Sequence, residues 1–77
     1  MNIETSKALF AELKQFDGSV KNVAKSLNFT PEHIRMVMCV YETHKSKEVV
    51  ASAIVKEIRI RRNAQKKRLE KIFSDIV

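Results

Sequence analysis

The side chains best suited to nucleophilic or metal chemistry in this 77-residue sequence are His33, Cys39 and His44. They stand six and five residues apart. Helical neighbours on one face are three or four residues apart, so these three do not converge. No Cys-x-x-Cys pair and no histidine pair at i, i+4 accompanies them. A metal site is therefore not expected. A cysteine–histidine nucleophile pair is not expected either, because nothing builds a cleft around it. The single glycine, Gly18, cannot form a glycine-rich phosphate loop. The expectation is a non-enzyme with no catalytic residues, no cofactor and no small-molecule ligand. Cys39 reads better as a small, buried apolar residue. Met36 and Met38 read as core filler, one of them facing out.

The remaining chemistry is that of charge. Formal net charge is +6, and its placement is uneven. Residues 1–58 hold eight basic and seven acidic side chains, whereas residues 59–77 hold seven and two. Most of the excess thus lies in the last quarter of the chain, which suits a polyanion such as nucleic acid. Arg59, Arg61, Arg62, Lys66, Lys67 and Arg68 are the expected phosphate contacts. Each phosphate neutralised releases counterions, so affinity should fall steeply with salt. No aromatic side chain is interleaved among them to stack on single-stranded bases.

The elements that must position these charges are helical. One Gly and one Pro leave few obligatory turns, which argues against a strand-rich fold. Four helices are expected. The first spans about Ile3 to Phe16, capped by Asn2 or Thr5, with Leu9, Phe10, Leu13 and Phe16 as its apolar stripe. Gly18 then takes a left-handed conformation, and Asp17 or Ser19 caps the next helix. That helix spans Ser19 to Leu27, with Val20, Val23, Ala24 and Leu27 at i, i+3, i+4 and i+7. Asn28 tolerates positive φ and replaces a turn glycine. The third helix starts at Thr30 as cap and Pro31 as first residue, with Glu32 near the positive end of its dipole. Ile34, Val37, Met38 and Tyr41 form its inner face, and it should end near Thr43 to Lys45. The last helix, from about Ser46 to Ile76, contains no Gly or Pro. It is either one rod of about 45 Å or kinked near Asn63.

The stretch from Val20 to Val37 resembles the bihelical motif of bacterial and phage helix-turn-helix DNA-binding proteins. Ala24 stands where a small residue lets the second helix cross the first. Val20, Val23, Leu27, Ile34 and Val37 lock the pair, and Phe29 plugs the space beneath. Asn28 departs from the family's usual glycine. The matching stretch covers about a quarter of the chain. The resemblance implies an all-α fold: a trihelical helix-turn-helix domain over residues 1–45, with its motif at 20–41, followed by a long basic helix over 46–77. It further implies that the helix beginning after Thr30 enters the major groove. Thr30, Pro31, Glu32, His33, Arg35 and Met36 would then face base edges, Arg35 suiting guanine. Lys21 and Lys25 would touch phosphates, as would Thr30.

Leu69, Ile72, Phe73 and Ile76 lie beyond the basic stretch, out of reach of the core if the helix is straight. An apolar cluster there must be covered, and a second copy of the chain is the simplest cover. The expected partners are therefore double-stranded DNA and a homo-oligomer, preferably a dimer. A phage or mobile-element transcriptional regulator fits this outline. A small terminase-like packaging subunit is the first alternative, and an adaptor or inhibitor docking its basic helix on an acidic protein is the second. With a lone cysteine, a charged N-terminal segment and no span of about 18 apolar residues, the expected location is cytoplasmic, with no membrane partner.

Overall fold

A computed structural model describes residues 2–76, and among them every regular element is a helix. The order is α1 (Ile3–Lys14), α2 (Ser19–Leu27), α3 (Pro31–Cys39) and α4 (Lys47–Ile76). No helix of the described residues is long and apolar enough to cross a membrane.

α1 begins where Asn2 accepts a hydrogen bond from the Thr5 amide at 2.8 Å. It ends at Lys14, two residues short of the expected Phe16. The chain tightens there into three-residue steps, Gln15 N–H to the Glu12 carbonyl (3.3 Å) and Phe16 N–H to that of Leu13 (3.2 Å). Phe16 still packs on the core from this turn.

Gly18 sits at φ 72° and precedes α2 without a side-chain cap. The expected capping by Asp17 or Ser19 is not what the turn uses. Ser19 is buried, and its hydroxyl donates to the Leu13 carbonyl instead, tying the start of α2 to the end of α1. Asn28 closes α2 at φ 59°, ψ 38°, in the left-handed region foreseen for it. Its N–H donates to the Lys25 carbonyl (3.2 Å) and that of Phe29 to the Ala24 carbonyl (2.8 Å). This paired closure satisfies two orphan carbonyls and turns Phe29 back onto the core. Thr30 then caps α3 by accepting from the His33 amide at 3.1 Å, with Pro31 opening the helix.

α3 stops at Cys39, earlier than Thr43 to Lys45. Its onward carbonyls are claimed by other groups. The Ser6 hydroxyl donates to the Met38 carbonyl at 2.6 Å. The Lys47 ammonium donates to the carbonyls of Tyr41 (2.6 Å) and Glu42 (2.9 Å). Tyr41 accordingly leaves the buried stripe and stands 41% exposed.

The core draws on all four helices: Phe10 and Leu13; Val23 and Ala24; Ile34, Val37 and Met38; Val50, Ala51, Ile54 and Ile58. Ala24 is 1% exposed within this core. Val50, Ile54 and Ile58 lay the first turns of α4 across the other three helices. α4 is continuous through Asn63 and gives the molecule extents of 50 × 24 × 15 Å. From Arg62 to Asp75 every side chain is exposed, so the second half of α4 adds nothing to the core.

Candidate nucleic-acid interface

Cap and core together set the outer face of α3. Ile34, Val37 and Met38 turn inward and are fully buried. Thr30, Pro31, Glu32 and Arg35 are left exposed, with His33 and Met36 half-buried between the two sides. Four of the six expected base-contact residues thus stand in the open, and two are partly covered.

His33 is held in a row of rings. Its imidazole meets Phe29 edge-on at 4.7 Å and His44 edge-on at 5.6 Å. The two histidines do come together, contrary to the expectation from helical spacing, because α3 ends at Cys39 and His44 lies in the loop beyond it. The His44 ring stacks on Tyr41 at 5.4 Å, and its Nδ1 accepts from the Ser46 amide at 3.0 Å. The row links the turn before α3 to the loop before α4. Its geometry positions His33 by packing and leaves Arg35 as the long, unpacked donor on this face.

Arg35 is paired. Its Nε and Nη2 donate to the two carboxylate oxygens of Glu32, one turn earlier. Hydrogen bonding to Arg35, and then its charge, hold the Glu32 carboxyl below its ordinary value. The same two effects, in the same order, raise Arg35. The outer face of α3 is therefore polar and ionised yet close to neutral.

Positive charge lies elsewhere. Lys21 and Lys25 are exposed on α2. Arg59, Lys66, Lys67 and Arg68 are exposed along α4. Two expected phosphate contacts carry partners: Arg61, half-buried, donates to Glu57 at 2.9 Å, and Arg62 donates to Glu12 of α1 at 3.0 Å. Arg59 lies twelve residues into α4, about 18 Å along its axis. A shallow notch of about 380 Å³ opens where Arg61, Gln65 and Arg68 face Phe16 and Asp17.

Leu69, Ile72 and Phe73 are 57%, 48% and 65% exposed and stand outside the core. The side chain of Ile76, the fourth member of the expected oligomer surface, lies outside the described residues. Cys39 is half-buried, a free thiol packed against the core rather than fully inside it. Among the described residues no three metal-type side chains come together.

Lys47 is the residue that sequence reasoning overlooked. It is 5% exposed, and its ammonium joins the end of α3 to Ser6 of α1 and the start of α4. One signal was present: a lysine at a helix start opposes the dipole and needs another reason to be there. No protein-family model, no curated protein and no solved structure matches the chain.

Proposed function

We propose that this chain is a non-enzymatic DNA-binding protein whose α2 and α3 work as a helix-turn-helix, in the manner of a small phage or mobile-element transcriptional regulator. One observation carries the reading: two nine-residue helices, joined through a left-handed Asn28 and a capped Thr30, leave Thr30, Pro31, Glu32 and Arg35 facing out. A short polar helix face, standing free of its own core, matches what a major groove admits. Lys21 and Lys25 supply phosphate contacts beside it. Arg59, Lys66, Lys67 and Arg68 supply more along α4, where Arg61 and Arg62 join them by exchanging a carboxylate for a phosphate. A second copy covers Leu69, Ile72, Phe73 and Ile76.

Fluorescence anisotropy with random-sequence duplex at two salt concentrations tests the reading. Binding should weaken with a negative slope of log affinity against log salt. No binding at about 50 mM salt, where phosphate contacts are strong, overturns it. Replacing Arg61 and Arg62 together by alanine should weaken all sequences alike, while Arg35→Ala should reduce sequence preference.

A second reading has one observation in its favour. Leu69, Ile72 and Phe73 stand beside Arg68 and Lys71 on the exposed end of α4. Such a basic amphipathic end also suits an acidic, grooved protein surface. Saturable binding to an acidic protein without affinity for duplex would favour that adaptor reading.

A further inference from the structure

The outer face of α3 carries one carboxylate and one guanidinium, and they hold each other. Arg35 grips both oxygens of Glu32, with the Nε contact at 3.3 Å, and its Nη2 also lies 3.4 Å from the Met36 sulfur. Both side chains are open to water, at 46% and 69% exposure. Exposed ion pairs contribute little to folding, so stability alone does not account for this one. Its effect is on what the face presents. The planar fork that would seat on a guanine edge is already seated on a carboxylate. An anion also stands where a duplex would bring more negative charge.

We propose that Glu32 is the selectivity element of this face, an inference that rests on the DNA-binding reading above. Guanine alone offers Arg35 two acceptors, O6 and N7, in the major groove. Arg35 leaves Glu32 for them only if the carboxylate finds another donor. The amino group of a cytosine or an adenine in the neighbouring base pair supplies one. Where guanine or thymine faces Glu32 instead, an acceptor oxygen meets a carboxylate. That arrangement loses the ion pair, gives Glu32 no hydrogen bond in exchange and adds repulsion from the phosphates. Glu32 thus selects by rejecting, and Arg35 by attracting. Non-specific attraction is left to Lys21, Lys25 and the basic part of α4, none of which pairs with Glu32.

The test compares the full-length protein with its Glu32→Gln variant, selecting sites from a random duplex pool and titrating the selected and random duplexes by anisotropy. Gln keeps the shape, removes the charge and sits at an exposed position, so the helical circular-dichroism spectrum should be unchanged. The native chain is expected to select a guanine with a cytosine or an adenine beside it. Glu32→Gln should bind random duplex more tightly and cut the ratio of selected to random affinity roughly tenfold, the scale of one base-reading contact. Binding by Glu32→Gln alone would also support a rejecting role. Equal selected sites and equal ratios overturn this inference while leaving DNA binding intact. Binding by neither protein at low salt overturns the DNA-binding reading, and this inference with it.

Discussion

A buried ammonium is costly unless its donors are used, and Lys47 uses its own on the carbonyls of Tyr41 and Glu42, with the Ser6 oxygen at 3.4 Å. The residue is buried, and its head closes the loop that ends α3. Lys47→Met would keep the stem and strand the carbonyls, so thermal unfolding should report a loss of about 1–3 kcal/mol. Ser6→Ala should cost less, about 1 kcal/mol, because one neutral donor is removed from the Met38 carbonyl. The opposite case is Glu32, whose contribution lies in charge rather than in folding. Its carboxyl titrates below the ordinary range because Arg35 bonds and attracts the ionised form. The folded value is depressed, so the pair is complete above the unfolded value and is lost as pH falls through the folded one. Carbon-detected NMR titration should place Glu32 below a model glutamate. Arg35→Ala should return it to the ordinary value, and an unchanged midpoint would mean that the pair does not persist in solution.

The elements differ in how openly their ends were written. Asn28 and Thr30 are local devices, because one residue's backbone preference and one hydroxyl suffice to end α2 and start α3. Their positions followed from residue type alone. Asn28→Gly should stabilise modestly by removing the cost of a left-handed non-glycine residue, while Asn28→Val should destabilise by about 1–2 kcal/mol. Urea melts of the two variants should therefore move in opposite directions. The buried faces were equally legible, since Val23, Ala24, Ile34, Val37, Val50 and Ile54 all fall on apolar spacings and all lie in the core. The end of α3 was not. Apolar spacing continues from Met38 to Tyr41, but the carbonyls of Met38, Tyr41 and Glu42 are taken by Ser6 and Lys47, which are distant in sequence or lie across a loop. A local pattern carries no trace of such a tertiary claim. The pairing of Arg35 with Glu32 could have been read from their three-residue spacing. That of Arg62 with Glu12 could not, because fifty residues separate them.

At the scale of the whole molecule, attraction and repulsion compete along the same helix. Residues 59–77 carry most of the net charge, and among them the apolar side chains of Leu69, Ile72 and Phe73 stand in open water. A helical segment of roughly fifteen residues with no buried side chain is marginal on its own, so a covering surface would stabilise it. If that surface is a second copy, two segments of like charge must approach each other, each with seven basic and two acidic side chains over residues 59–77. Apolar burial favours the pair and charge opposes it. Salt screens the repulsion, with a Debye length of about 10 Å at 0.1 M, and leaves the apolar term nearly unchanged. Self-association should therefore tighten as salt rises, while DNA binding loosens over the same range through counterion competition. Sedimentation equilibrium across a salt series, set beside anisotropy on duplex, would show the two trends diverging. Phe73→Glu should abolish the dimer at every salt concentration and leave the melting of the body intact, because Phe73 lies outside the four-helix core. A native chain that stays monomeric at high salt, or a dimer indifferent to Phe73→Glu, would mean that the end of α4 is covered by something other than its own copy.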